Sequence, residues 1–284
     1  MLQTYSEKFK RNLSRVAFGG IIVANEVQEV ANRYVEEAIR SGINYFDVAP
    51  TYFDAESKLG PALRGKRKDV FLACKTEDRT ASGSRRLLEE SLKKLETDYF
   101  DLYQLHAVYD LDDVKKTFSA DGSFKTYLKA KEEGLINHIG FSAHSTEAAL
   151  ALMERYDFDS IMFPFNFASL LNYGYGEDVL KLAKEKNMTI LGIKSMVLTS
   201  SQEGDQEKYP KAWYHPIETF ELAKKAVNYS LHRGVDIIIP PGNIDQFRWA
   251  LKIFEEGLHL SASDIDELRA VAQSTTPLFP LKSR

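Results

Sequence analysis

Short apolar runs alternate along this chain with longer stretches in which apolar positions recur every three or four residues. The runs are rich in β-branched and aromatic side chains and predict strands; the longer stretches predict amphipathic helices. The strand segments are RVAFGG (15–20), INYFDVA (43–49), VFLACKT (70–76), YFDLYQLH (99–106), HIGFSA (138–143), SIMFPFNF (160–167), TILGIKSM (189–196) and VDIIIPP (235–241). A helical pattern follows each, near 26–41, 55–64, 81–96, 122–134, 145–155, 175–187, 215–233 and 243–256. Ser82 or Ser84, Ser145 and Asp245 read as helix-start signals. Strands alternating with helices imply parallel pairing through helical crossovers. Eight such units in roughly 250 residues fit an α/β fold of the closed (β/α)8 TIM-barrel type, with an open doubly wound sheet as the competitor. A further helix, SASDIDELRAVAQS, follows the eighth unit, and the segment VLTSSQEGDQEKYPKAWYHPIE after the seventh strand reads as a long lid loop. No composition shift or Pro/Gly/Ser-rich linker divides residues 1–284, so one barrel domain is expected.

Composition narrows the class. The net charge is −4 and the pI about 5.9, so nothing resembles an electrostatic footprint for nucleic acid or an anionic membrane. The N-terminal MLQTYSEKFKRNLSRVAF has no apolar signal core, and no apolar run approaches the roughly 20 residues needed to span a bilayer. A cytoplasmic small-molecule enzyme, monomeric or weakly self-associating, is the expectation. The single cysteine, Cys74, excludes an intrachain disulfide, and as Lys75's neighbour on a strand it should face the packing helices. His138, His144, His215, His232 and His259 show no metal-ligand spacing, and no metal is expected.

The chemistry concentrates at the carboxyl ends of strands two to four, where parallel barrels place their active sites. Asp47 and Tyr52 lie in YFDVAPTY, Lys75 in VFLACKT and His106 in DLYQLH. Each alone has an ordinary structural explanation. Together, an acid, a phenol, an amine and an imidazole on one barrel face make a proton-transfer centre.

The order and spacing of this tetrad resemble the aldo-keto reductases, as do SRVAFGG, GINYFDVAPTYFDAESKLGPAL, IGFSAHS and IIIPPGN. The resemblance covers nearly the whole chain. It implies reduction of an aldehyde or ketone with NAD(P)H, by direct transfer of hydride from the nicotinamide and of a proton from the protein. Tyr52 would be the general acid: a free phenol has a pKa near ~10, and a nearby Lys75 ammonium would stabilise the phenolate that donation leaves. Asp47 would keep Lys75 charged and oriented, and His106 would hydrogen-bond the carbonyl oxygen.

For the cofactor, the resemblance points to Gly20, Ser142, Asn166, Lys194, Ser195, Pro241, Gly242, Asn243 and Gln246. The usual Ser-Asn pair reads Ser142-Ala143, so His144 or Asn166 would substitute, and the usual glutamine reads Met162. Lys194 and Ser195 replace the stacking aromatic, with Lys194 as a point charge for the pyrophosphate. Pro241, Gly242 and Asn243 open a helix suited to phosphate. Gln246 takes the usual arginine position, Arg248 is the remaining nearby cation, and Trp249-Ala250 stand where an acid-amide pair often sits. NADP is expected over NAD, with dual use open.

Phe53, Tyr109, Trp213 and Tyr214, with Val108 and Phe165, would rim the mouth and suit an apolar or aromatic carbonyl compound. Two other readings remain: a nucleotide-sensing barrel without turnover, and a Schiff-base aldolase using Lys75 or Lys194.

Overall fold

A computed structural model describes residues 2–276 and 278–279. The chain begins with an antiparallel hairpin of β1 (Gln3–Ser6) and β2 (Arg11–Ser14). Then come β3 (Phe18–Gly19), α1 (Gln28–Arg40), β4 (Tyr45–Asp47), α2 (Ala55–Ala62), β5 (Phe71–Thr76), α3 (Ala81–Lys94) and β6 (Phe100–Val108). The next stretch holds α4 (Leu111–Thr117), α5 (Phe124–Glu132), β7 (Ile136–Ala143), α6 (Thr146–Arg155), β8 (Ser160–Pro164), α7 (Phe167–Tyr173) and α8 (Glu177–Glu185). The chain continues through β9 (Thr189–Ile193), β10 (Val197–Ser200), α9 (Asp205–Lys208) and β11 (Tyr214–Pro216). It ends with α10 (Phe220–Arg233), β12 (Ile237–Ile239), α11 (Ile244–Glu256) and α12 (Ala262–Gln273).

The eight barrel strands pair in parallel in the order β3-β4-β5-β6-β7-β8-β9-β12. A parallel bridge from Val16 to Ile238 joins the two ends, with Ala17 N donating to Ile238 O at 2.9 Å. The ring therefore closes, and the (β/α)8 barrel prevails over the open sheet. Aspartates at strand entrances reinforce the joins. Asp101 accepts from Leu72 N at 2.9 Å, Asp159 from Ile139 N at 2.9 Å, and Asp236 from Ile190 N at 2.8 Å.

Side chains alternate across this wall, as the two-residue period of a strand requires. Phe46, Leu72, Cys74, Tyr103 and Phe141 pack outward with the helices, while Tyr45, Phe71, Ala73, Leu102, Met162, Leu191 and Ile237 pack inward. Phe9 and Leu13 of the hairpin join the inward set and fill the amino-terminal end of the barrel. Burying each such side chain stabilises the fold by about 1.5–3 kcal/mol. Ser6 Oγ to Thr189 Oγ1 at 2.5 Å, and Ser14 N to Asn44 Oδ1 at 2.8 Å, fix the plug.

Several boundaries differ from the sequence expectations. β3 is only Phe18–Gly19, because the chain turns into a 3-10 helix at Gly20, whose missing side chain lets Val48 approach. β12 stops before Pro240 and Pro241, which have no N–H for the ladder. The N-cap of α3 is Thr80 rather than Ser82 or Ser84, and that of α11 is Asn243 rather than Asp245; Ser145 caps α6 as expected. The lid is not a bare loop: β10 and β11 form an antiparallel ribbon enclosing α9. The hairpin, α4 and α7 are further elements that the apolar pattern did not show.

Candidate active site

The inward columns deliver the polar residues. Asp47 follows Tyr45 by one period on β4, Lys75 follows Ala73 on β5, and Gln104 and His106 follow Leu102 on β6. Register places Lys75 beside Gln104 and Asp47 beside Ala73. Lys75 is fully buried and its Nζ is ion-paired to Asp47 Oδ1, while Gln104 Nε2 donates to Asp47 Oδ2 at 3.2 Å. Burial pushes the Lys75 ammonium down, but the Asp47 carboxylate and Tyr52 more than reverse this, so Lys75 is held above its ordinary value.

Tyr52 comes from the loop before α2 and is half-buried, its ring centroid 4.9 Å from Lys75 Nζ and edge-on to His106 at 5.8 Å. Burial raises the phenol and Lys75 pulls it back. Burial, followed by Lys75, His144, Arg79 and Lys194, holds His106 well below the ordinary imidazole value, so it is neutral at pH 7. Its Nδ1 lies 3.3 Å from Glu77 Oε1 without hydrogen-bond alignment, leaving the nitrogen without a partner.

Of these groups Asp47, Tyr52, Glu77 and His106 line a cavity of about 420 Å³ at the carboxyl end of the barrel, with Lys75 and Gln104 buried behind them. Three non-glycine residues on its wall adopt left-handed backbone: Phe53 (φ 52°), Ala107 (φ 52°) and Lys194 (φ 66°). Such strain gathers where a binding site is held against local preference. The lid closes one side, and Lys211 Nζ fastens it to Ile22 O at 2.9 Å and Glu26 Oε1 at 2.7 Å.

The remaining candidates separate into three groups. Ser142, Lys194, Gly242, Phe53, Tyr109, Trp213 and Tyr214 line the cavity, as do His144 and Met162. Pro241, Gly242, Asn243 and Gln246 line an adjoining cleft of about 180 Å³, which shares Gly242 with the cavity wall. Gly20, Asn166 and Ser195 line neither cleft; Gly19 and Ile21 stand at the wall instead of Gly20. Val108 and Phe165 belong to the helix-side core rather than the rim.

Asn166 has a different task. Its Oδ1 accepts from Ala168 N at 3.0 Å and Ser169 N at 3.2 Å, and its Nδ2 donates to Lys194 O at 3.0 Å and Val197 O at 2.7 Å. It caps α7 and clamps the left-handed turn at Lys194, leaving nothing for a ligand amide. Asn166→Ala is expected to lower unfolding stability by about 1–3 kcal/mol in urea melts; an unchanged midpoint would remove this role. Asn243 likewise directs its Oδ1 to Asp245 N at 2.8 Å and Gln246 N at 3.4 Å, so those two amides are not open to a phosphate. Arg248 is held by Glu37 through two bonds of 2.7 and 2.8 Å. Gln104 escaped sequence reasoning because an amide in an apolar run carries no spacing signal; its place two residues before His106 was the available clue.

A closed parallel barrel with a buried lysine-carboxylate pair beneath a tyrosine, opening on a lidded cavity, defines a class of enzyme fold. The sequence profile of the aldo/keto reductase family matches residues 15–273, and the chain belongs to that family. It is 29% identical over 169 residues to the uncharacterized oxidoreductase YqkF of Bacillus subtilis, covering 55% of this chain and 53% of that protein. It is 31% identical over 199 residues to the aldo-keto reductase YhdN of the same organism, covering 65% and 57% respectively. The matched stretches thus span a little over half the length of these relatives. An aldo-keto reductase from Bacillus halodurans in its holo form superposes with a TM-score of 0.75 over 98% of both chains at 22% identity, a likeness of fold. Among the described residues no three His, Cys, Asp or Glu side chains gather to hold a metal ion, and no helix is long and apolar enough to cross a membrane.

Proposed function

We propose that this protein reduces an aldehyde or ketone with NAD(P)H, with Tyr52 as the proton donor. The observation that carries the reading is the buried Lys75–Asp47 pair set under the Tyr52 ring. Tyr52 donates its phenolic proton to the carbonyl oxygen, and the phenolate left behind lies against a permanent ammonium. Asp47, fixed by Gln104, keeps that ammonium in place. Neutral His106 offers the same oxygen a hydrogen bond and orients the carbonyl, the tautomer being set by substrate. Lys75, raised rather than lowered, is a poor Schiff-base nucleophile, which argues against an aldolase built on that residue.

The two adjoining clefts suit an elongated nucleotide. Ser142 stands at the catalytic end, Gly242 at the narrow junction where a Cβ would meet Ile21 at 2.4 Å, and the unpartnered Oε1 of Gln246 at the far end. When bound, the nicotinamide supplies hydride to the carbonyl carbon. NADPH is the first choice by family, but Arg248 is already engaged by Glu37, so NADH is expected to serve as well.

Fluorescence titration with NADPH and NADH, followed by a panel of aldehydes and ketones, tests the assignment. Saturable binding with oxidation of the nucleotide is expected. Binding without oxidation across the panel would favour the sensor reading, and binding of neither nucleotide would sink both.

A further inference from the structure

Every lysine lining the two clefts is matched to an acid except one. Lys211 pairs with Glu26 and Lys208 with Glu218. Lys194 has no acidic partner and no hydrogen-bond acceptor for its Nζ among the described residues. Its ammonium instead lies over two aromatic faces, 4.0 Å from the Tyr214 ring centroid and 4.8 Å from that of Trp213. Rings support a cation electrostatically but leave its three N–H donors wanting acceptors. The backbone holds this lysine in a left-handed conformation that favours glycine, secured by Asn166 Nδ2. A fold that fixes an unpaired cation in a strained turn aims it at a ligand absent from the protein itself.

We propose that Lys194, with Trp213 and Tyr214, forms a receptor for an anionic group on the substrate, making the preferred substrate a carbonyl compound that carries a carboxylate. This rests on the carbonyl-reduction reading and deepens it. An anion here has two sources, a substrate carboxylate or a nucleotide phosphate. The surroundings favour the first: Lys194 lines the same cavity as Tyr52, His106 and His144 and is not on the wall of the adjoining cleft. Burial lowers the Lys194 amine itself to about 7, and a carboxylate docked against it would restore the ammonium. The exposed indole of Trp213 and the Phe53 and Tyr109 rings leave apolar surface for the rest of such a molecule.

The test compares matched pairs, 4-carboxybenzaldehyde against its methyl ester and succinic semialdehyde against butanal, in the wild type, Lys194→Met and Lys194→Arg. The wild type is expected to favour each acid in kcat/KM by about ten- to hundredfold, the range of a charged hydrogen bond. Lys194→Met is expected to erase that ratio through KM, and Lys194→Arg to retain most of it. Benzoate quenching of Trp213 fluorescence, lost in Lys194→Met, reads the subsite without turnover. If no carbonyl compound is reduced yet benzoate binds through Lys194, the subsite stands and the reductase reading fails. Reduction with equal ratios in wild type and Lys194→Met overturns the subsite and leaves the reductase. A rise in the Kd of NADPH and NADH with the acid preference intact assigns Lys194 to the nucleotide phosphates and overturns the proposal. So does borohydride trapping of an aldehyde on Lys194, which would make the amine a nucleophile.

Discussion

Tyr52→Phe is expected to lower kcat by about 10²–10⁴-fold, the usual contribution of a positioned general acid, while nucleotide affinity changes little. The Tyr52 ring lies beside the Lys75 ammonium, 4.9 Å from ring centroid to Nζ, and its phenol is the proton donor of the proposed reaction. Phenylalanine keeps the ring and its edge contact with His106, so packing survives while the transferable proton is lost. Such a change removes an interaction made in the transition state, and kcat and kcat/KM should therefore fall together. His106 would not rescue the mutant at neutral pH, because burial and the neighbouring cations keep its imidazole uncharged. Steady-state kinetics against any accepted carbonyl compound decides the matter, and an unaltered kcat removes Tyr52 from the mechanism.

Lys75→Met should act twice. Activity falls because the phenolate loses its counter-charge, and stability falls because Asp47, only 2 % exposed, is left as a buried carboxylate with Gln104 as its remaining partner. Breaking a buried pair from one side costs about 3–5 kcal/mol. Asp47→Asn in the same chain removes the stranded charge, so the double variant should regain much of the stability and none of the activity. Urea unfolding together with kcat per folded molecule separates the effects. A double variant as unstable as Lys75→Met alone would show that the pair is not the source of the loss.

The barrel was readable because its strands are buried on both faces and stand out as apolar runs, and because Asp47, Lys75 and His106 fall at the ends of three consecutive runs. What the pattern missed was mostly pairing at a distance. Nothing local in TSSQEGDQEKYPKAWYH announces that Thr199 will lie opposite His215 in a ribbon. Nor does QTYS announce its register with RNLS. α4 and α7 are each seven residues, too short for a helical period to emerge, although Asp110 and Asn166 cap them. Asn166 also shows how resemblance can misplace a residue. An amide near a cofactor position invited a binding role, while the four backbone groups around it claim it entirely. Gly20 was one residue away from the wall because the chain leaves the ladder there, which composition cannot reveal.

The hairpin that seals the amino-terminal end with Phe9 and Leu13 has a kinetic corollary. With the floor stoppered and the lid tied down by Lys211, the barrel is a blind well rather than a corridor. With the floor sealed, whatever binds in the cavity is expected to come and go at the carboxyl end of the barrel, and product-inhibition patterns would show whether two bound molecules depart in a fixed order.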